Sequence, residues 1–253
     1  MWREIEWREP MTPTPNSSEN SVLVFGAHPD DIEFGCGAVI AREVQTGRSV
    51  YMLICSKGEA GTSGSAEQRA QESLEAARVL GAQCQFVELD GDAKLQLRNE
   101  HTMKIARIIR QIKPATVLAT SRVDNQHPDH ARLGQIVRDA SRAARYGGLA
   151  DLIDLEPHTI EQLFYYAVTP DGEPKDELPI LIDISAPEII SSWTAAMNAH
   201  QSQAGTRNYI DLQLTRARLW GARAGVEYAA ALFSNDPLIF YSLSDAGRGV
   251  RHF

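Results

Sequence analysis

The stretch Ser21–His28, SVLVFGAH, runs into Pro29-Asp30-Asp31 and then FGCG, and this run decides the fold. Its Val, Leu and Phe residues are typical of a strand buried on both faces of a sheet. The following segment Cys36–Gly47 has apolar residues at helical spacing and ends on a glycine, as helices often do. The stretch therefore predicts a strand, a polar turn and a helix, which is the first unit of an α/β sheet.

The rest of the chain repeats this alternation. We predict further strands at 49–56, 84–89, 116–121, 162–168 and 179–184. We predict helices at 66–80, at 99–112, from the second His-Pro motif to about 146, and at about 186–201 and 209–233. Such alternation indicates a Rossmann-like, mostly parallel sheet with helices on both faces. We expect a single domain over residues 21–253, and a poorly ordered segment over residues 1–20, which are rich in Pro, Ser, Thr and Asn.

Composition limits the partners and the compartment. The 253 residues carry a net charge of −8, which argues against nucleic acid or an anionic membrane as the main partner. No run reaches the roughly 18 apolar residues of a membrane span, and the N-terminus lacks the apolar core of a secretory signal. The three cysteines are widely spaced without a CxxC, so they do not suggest a disulfide framework. We therefore expect a cytoplasmic protein with a small-molecule partner, and a homo-oligomer is compatible with the sequence.

Two tetrapeptides carry the chemistry: His28-Pro29-Asp30-Asp31 and His127-Pro128-Asp129-His130. Shuffling this composition would give about 0.3 His-Pro dipeptides, whereas the chain has two, both followed by Asp. Each motif comes after a predicted strand. Ligands in such sheets bind beyond the carboxyl ends of the strands. If the strand order begins 3-2-1-4, the two motifs face each other across one crevice.

The residue types suit one zinc ion per chain. Imidazole nitrogens and a carboxylate oxygen are zinc ligands, and three protein ligands leave a position open for water. His28 and Asp31 are three residues apart across a turn, and His130 lies one turn into the next helix. These three residues are the predicted metal ligands.

The other residues of the two motifs have predicted roles in hydrolysis. Asp30 is the candidate general base, because it could accept a proton from a zinc-bound water acting as nucleophile. His127, as an imidazolium, could stabilise an oxyanion or protonate a leaving amine. Asp129 could orient His127. The alternative is that His-Pro-Asp is turn chemistry alone, which is the better explanation for one such motif but not for two.

Four weaker candidates have a structural alternative. Glu33 is either a site carboxylate or a residue that balances the helix dipole. The loop Gly58–Gly64 lacks the spacing of a phosphate-binding loop but could line a pocket, and Arg69 could reach into that pocket or be exposed. His200 either faces the substrate or is a cation at a helix end.

The pattern AHPDDIEFGCG followed by HPDH resembles the zinc-dependent N-deacetylases of the LmbE/PIG-L type. The stretches KGEAGTSG, RAQESLEAARVLGA and GVEYAAALFSNDPL are similar to the branch that contains bacillithiol-biosynthesis deacetylases. The resemblance covers about residues 21–240.

The resemblance implies a Rossmann-like fold and hydrolysis of an N-acetylglucosamine amide to an amine and acetate. By motif position it gives His28, Asp31 and His130 as metal ligands, Asp30 as general base and His127 as the residue that stabilises the transition state, with Asp129 behind it. It also implies that Arg69 and Asp92 bind the substrate, although the residues around Asp92 depart from the commoner pattern.

Three hypotheses follow. The first is a zinc-dependent N-deacetylase acting on a small N-acetylglucosamine-containing molecule, and the second is a metal-dependent amidase or esterase with a non-sugar substrate. The third is a non-catalytic α/β binding domain. The turn GAHPDD disfavours the third as a nucleotide-binding domain, because its acids would repel a pyrophosphate where GxGxxG proteins offer backbone N–H groups.

Overall fold

The computed structural model describes residues 20–124, 127–204 and 208–250. Residues 1–19, which make up nearly all of the predicted poorly ordered segment, lie outside the described residues. Within the described ranges, no helix is long and apolar enough to cross a membrane.

The elements alternate as predicted through the first four strands. The strands are β1 (Ser21–Gly26), β2 (Ser49–Ile54), β3 (Gln83–Phe86), β4 (Thr116–Thr120), β5 (Gln162–Tyr166), β6 (Ile180–Asp183) and β7 (Ala229–Ser234). The helices are α1 (Asp31–Gln45), α2 (Ala66–Leu80), α3 (Asn99–Ile112), α4 (Pro128–Ala144), α5 (Pro187–Ala199), α6 (Gln201–Ala204) and α7 (Tyr209–Ala224).

These strands form one sheet in the order β3-β2-β1-β4-β5-β7-β6. The first five strands in this order pair in parallel, and β7 is antiparallel to both β5 and β6. The expected mostly parallel α/β sheet is therefore confirmed. The assumed order 3-2-1-4 is also confirmed, and it makes β1 and β4 neighbours with their carboxyl ends at the same edge.

The predicted helix at 209–233 is wrong beyond Ala224. Helix α7 ends at Ala224, because Gly225 adopts the left-handed conformation (φ 67°) that terminates helices. The alanine-rich run that follows has good helix propensity, yet Ala229–Ser234 forms β7. Pairing with β5 and β6 on either side outweighs that local preference.

Helices cover both faces of the sheet. On one face the buried core includes residues of α1, α2, α5 and α7, and on the other it includes α3 and α4. Helix α1 approaches the sheet closely at Gly35, where a Cβ atom would lie 2.3 Å from the ring of Tyr166. That ring is buried and donates a hydrogen bond from its hydroxyl to the backbone oxygen of Phe25. This close contact fixes the start of α1, and with it the turn after β1.

Candidate active site

Two turns, one after β1 and one before α4, bring three histidine rings together. The ring centroid of His28 lies 4.3 Å from that of His127 and 5.4 Å from that of His130. The rings of His127 and His130 are stacked with centroids 5.2 Å apart. The two His-Pro-Asp motifs, distant in sequence, thus meet at the carboxyl edge of β1 and β4, where parallel sheets bind ligands.

Asp31 links two of these histidines. It is the first residue of α1, so this helix begins five residues before the predicted start at Cys36. Its Oδ2 accepts hydrogen bonds from the backbone N–H groups of Ala27 and His28, at 3.0 and 2.9 Å. Its Oδ1 lies 3.0 Å from Nε2 of His130. Burial alone would raise the pKa of Asp31, but the two histidines hold it well below its usual value.

His28 lies among carboxylates. Its Nε2 is 3.1 Å from Oδ1 of Asp92 and 3.4 Å from Oδ2 of Asp129, while its Nδ1 is 3.4 Å from Oδ2 of Asp31. Burial opposes the charged ring, yet the three carboxylates raise the pKa of His28 well above its usual value. Three acids around one imidazole concentrate negative charge at this point, and such a site attracts a cation.

The donor atoms fit a divalent metal ion. Donors of His28, His127 and His130 lie within 4.8 Å of one another, and so do donors of His28, Asp92, His127 and Asp129. Imidazole nitrogen and carboxylate oxygen are the ligand types that zinc and similar ions accept. Two of the three predicted ligands, His28 and His130, belong to these groups. The third, Asp31, is not in either group but contacts His130. The cluster therefore offers more donors than the three that an open catalytic metal site requires.

Asp30 has an unusual backbone and an unusual pKa. It is the residue before α1, its φ of 95° lies in the left-handed region, and its side chain makes no capping hydrogen bond. Such a conformation costs a non-glycine residue about 1–3 kcal/mol. Burial and the neighbouring Asp31 raise the pKa of Asp30 to about 7, although His200 and Arg69 oppose them. A carboxyl group with a pKa near neutrality is well suited to general-base chemistry.

His127 differs from the expected imidazolium. Its Nδ1 accepts a hydrogen bond from the backbone N–H of Asp129 at 3.3 Å, so the neutral ring carries its proton on Nε2. Burial and the charges of His28 and His130 lower the pKa of His127, although Asp129 acts in the opposite direction. His127 is therefore a neutral donor, and its Nε2 lies 4.0 Å from Oδ1 of Asp92 at the cavity.

The Asp129 side chain does not contact His127 as expected. In the described part of the chain, its carboxylate pairs with His28 and with Arg132, both at 3.4 Å. Because His127 is the N-cap of α4 and Pro128 its first residue, Asp129 lies in the first helical turn. Its backbone N–H orients His127, while its side chain is directed to the other motif.

Arg69 is buried rather than exposed, with 5% of its surface accessible. Its guanidinium donates to the backbone oxygens of Gly58 (2.8 Å) and Pro29 (3.0 Å), and Nη2 lies 3.6 Å from Oδ2 of Asp30. A Cβ atom on Gly58 would lie 2.2 Å from this guanidinium, and one on Gly61 would lie 2.5 Å from it. The glycine-rich loop therefore surrounds an arginine rather than a phosphate, and the arginine supports the turn that carries Asp30.

Asp92 is held by the same loop. Its Oδ2 accepts from the backbone N–H of Ala60 at 3.1 Å, and its own N–H donates to Glu59 at 2.8 Å. Its Oδ1 is the atom near His28 and His127, and the hydrogen bond with His28 lowers the pKa of Asp92. The Asp92 carboxylate is thus ionised and lies both beside the metal-binding cluster and in the cavity wall.

The sequence left open the roles of Glu33 and His200, and the structure pairs them. Both side chains are fully buried, and Nε2 of His200 lies 3.2 Å from Oε1 of Glu33. Burial opposes the charged ring of His200, but Glu33 raises its pKa. The pair connects α1 to the end of α5, directly behind Asp30. Nothing in the local sequence around His200 indicates this contact, because the partners are far apart in the chain.

A cavity of about 450 Å³ opens over the cluster. The histidines, Asp30, Asp31, Asp92 and Arg69 line its inner end, and Phe34, Val168, Thr169, Gln203, Tyr209 and Gln213 line other parts of its wall. Its size is in the range of small-molecule sites. The wall combines apolar surface with hydroxyl and amide groups, which suits a small polar ligand.

Among the relatives of the chain are a deacetylase and a hydratase. Over 206 residues it is 29% identical to diacetylchitobiose deacetylase from Thermococcus kodakarensis, a match that covers 75% of this chain and 72% of the relative. It is 27% identical over 168 residues to 4-oxalmesaconate hydratase from Pseudomonas putida, covering 58% of this chain and 65% of the relative.

The solved structure of the conserved protein TT1542 from Thermus thermophilus is similar along most of the fold. It superimposes with a TM-score of 0.77 at 31% identity, covering 88% of this chain and 98% of that one. Residues 23–141, which carry both His-Pro-Asp motifs, Arg69 and Asp92, match the family described as PIG-L, GlcNAc-PI de-N-acetylase. The fold, the paired motifs and these matches together mean that the chain belongs to the PIG-L family.

Proposed function

We propose that the protein is a zinc-dependent N-deacetylase that removes the acetyl group from a small N-acetylglucosamine-containing molecule. The observation that carries this proposal is that three kinds of functional group line the same cavity. A cluster of metal donors, a carboxyl group with a pKa of about 7 and a neutral imidazole donor all line it. The deacetylase among the relatives supports the same reaction.

His28, Asp31 and His130 would hold the metal, as the family resemblance implies. A bound divalent ion would lower the pKa of a water molecule and polarise the amide carbonyl. The two carboxylates Asp92 and Asp129 would remain as neighbours that fix the ring of His28, which is how carboxylates commonly support metal-bound histidines.

Asp30 and His127 would have different roles in the reaction. Asp30 would take the proton of the attacking water, since its carboxylate lines the cavity and its pKa allows it to be a base near neutral pH. His127, as a neutral ring, would donate a hydrogen bond from Nε2 to the developing oxyanion. The proton that Asp30 has taken from the water would then pass to the amine as it leaves. Arg69 fixes the backbone on either side of this chemistry through the oxygens of Pro29 and Gly58.

The substrate's sugar would occupy the wall of the cavity beyond these groups. The ionised Asp92 carboxylate is placed to accept a hydrogen bond from a sugar hydroxyl. Nη1 and Nη2 of Arg69 each donate to one backbone oxygen, and Nε is buried with no hydrogen-bond partner in the described part of the chain. We therefore propose that Arg69 contacts the sugar through the second N–H group of Nη1 or Nη2. Thr169, Gln203 and Gln213 line the same cavity and offer further polar groups.

The experiment is acetate release by the full-length protein loaded with zinc. Substrates are N-acetylglucosamine, diacetylchitobiose and an N-acetylglucosamine glycoside, with a simple acetyl ester and 4-oxalmesaconate as comparisons. We expect acetate and free amine in equal amounts from at least one sugar, and a loss of turnover in Asp30→Asn.

Two results would contradict the proposal. Turnover of the ester with no acetate from any sugar would favour a hydrolase with a non-sugar substrate. Turnover of 4-oxalmesaconate without acetate release would move the chain to the hydratase side of the family. A matched control is Asp90→Asn, because Asp90 lies in the segment after β3 but pairs with His101 instead of lining the cavity.

A further inference from the structure

Four arginines meet in a groove formed by α4, the segment 159–163 and the residues after β7. Arg138 and Arg142 lie one turn apart on α4, Arg145 directly follows this helix, and Arg122 comes from the segment that follows β4. Their groove has a volume of about 240 Å³ and is lined by no lysine. We refer to it as the arginine groove.

The guanidinium groups of this groove lack the close carboxylate partners that arginines have elsewhere in the chain. Arg48 lies 2.8 Å from Glu43, and Arg216 lies 2.7 Å from Glu173. In the groove, the shortest ion pair among described residues is the 3.9 Å contact of Arg138 with Asp139.

That single contact is also weak. Both carboxylate oxygens of Asp139 already accept hydrogen bonds from Gln135 at 3.0 Å. The guanidinium of Arg142 makes no hydrogen bond or ion pair within the described ranges. Glu161 and Asp236 line the groove as well, but neither lies within 4.0 Å of an arginine nitrogen there. Among the residues that line the groove, four positive charges therefore face two negative ones, and Asp139 beside Arg138 is a third carboxylate nearby.

Aromatic rings hold two of the arginines in place. The guanidinium carbon of Arg122 lies 4.9 Å from the ring centre of Tyr165, and that of Arg145 lies 5.3 Å from the ring centre of Tyr146. A ring contact of this kind orients the planar guanidinium and leaves most of its N–H donors unused. Among the described residues, Arg145 donates one hydrogen bond, from Nη2 to the hydroxyl of Tyr146 at 3.5 Å. Arg138 and Arg142 are four residues apart on one helix face, where like charges are destabilising. The folded chain alone does not account for this arrangement.

We propose that the arginine groove binds a phosphate group, either free or as part of a small phosphate ester. Guanidinium groups match the geometry of such oxyanions and donate paired, charge-assisted hydrogen bonds to them. The groove's volume of about 240 Å³ is sufficient for a group of this size. This second site is formed by residues that take no part in the proposed hydrolysis.

The test is titration calorimetry of the full-length protein with inorganic phosphate and, separately, glycerol 3-phosphate, in chloride at constant ionic strength. We expect saturable binding near one per chain. The double variant Arg138→Gln/Arg142→Gln should weaken it at least about tenfold, since two charge-assisted donors are lost. Arg122→Gln, on a different element, should weaken it as well. Tighter binding of the ester would identify an organic phosphate as the ligand, and equal binding would identify the phosphate group alone.

The matched control is Arg78→Gln/Arg223→Gln, which removes the same charge from two other exposed helix positions. It should bind phosphate like the wild type. The proposal is overturned if neither probe binds saturably, or if the control pair loses as much affinity as the groove pair. It is also overturned if the groove variants bind unchanged, because phosphate would then be held at the histidine cluster.

Discussion

The two His-Pro-Asp motifs share three residues and fold differently. In the first, the helix begins after Asp30, which is left in the left-handed region at φ 95°. In the second, the helix begins at Pro128, and Asp129 is an ordinary residue of the first turn. The same tripeptide is therefore used in two helix registers that differ by two residues.

The register decides what each aspartate does. Asp30 stands outside its helix with no capping bond, and its carboxyl group lines the cavity with a pKa of about 7. Asp129 is almost fully buried and pairs with His28, and this pairing holds the pKa of Asp129 below its usual value against the effect of burial. In the proposed function, one motif would therefore supply the reactive carboxyl group and the other a supporting one.

The largest difference we expect is in metal content, between variants of His28 or His130 and a variant of His127. His28→Ala and His130→Ala should each remove a metal ligand, so bound zinc and all activity should be lost. His127→Ala should keep the metal, because we place that ring on the substrate side. Metal content per chain, measured by mass spectrometry after dialysis, checks this. Equal metal in all three variants would show that the ligand set is different, and loss in His127→Ala alone would place His127 in it.

The second difference is between the two aspartates. Asp30→Asn should lower kcat by about 10²–10⁴-fold, because the amide cannot accept a proton. Asp129→Asn should lower activity or metal affinity by about 10–100-fold, the usual effect of losing a carboxylate that supports a metal-bound histidine. Steady-state kinetics with measured zinc content separates them. A larger loss of kcat in Asp129→Asn than in Asp30→Asn would reverse the reactive and supporting roles of the two carboxyl groups.

The sequence predicted most of what brings these groups together. Apolar runs located the strands, and the repeated motif located His28, Asp30 and His127 at one edge. It did not predict β7, because the alanines of 229–231 favour a helix until strands on both sides are present. It also did not predict the burial of His200, since that depends on Glu33 across the fold. Local patterns show periodicity and motif spacing, whereas these features depend on long-range contacts.

The aspartates should also differ in how they affect stability with pH. The raised pKa of Asp30 means that the folded, metal-free protein keeps a proton that the unfolded chain releases between about pH 4 and 7. Asp30 therefore reduces stability as the pH rises through this window. The lowered pKa of Asp129 acts in the opposite direction, and its contribution is lost as the pH falls below about 4.

Thermal melts of metal-free variants from pH 4 to 8 test this sign. The melting temperature of Asp30→Asn should increase relative to that of the wild type as the pH rises. Asp129→Asn should be less stable than the wild type at neutral pH. The same direction of change in both variants would mean that the environments of the two carboxyl groups do not differ as described.

The smallest effect we expect comes from backbone conformation alone. At position 30, glycine and alanine both remove the carboxyl group, but only glycine adopts a φ of 95° without strain. Asp30→Gly should therefore be more stable than Asp30→Ala by about 1 kcal/mol. At position 129, inside a helix, alanine should be more stable than glycine by about the same amount. In a chain of this size, this corresponds to a Tm difference of about 2–4 °C, so the two pairs should differ in opposite directions in a scanning calorimeter. If alanine is the more stable residue at both positions, the turn after β1 relaxes at no cost, and the strain assigned to Asp30 is absent.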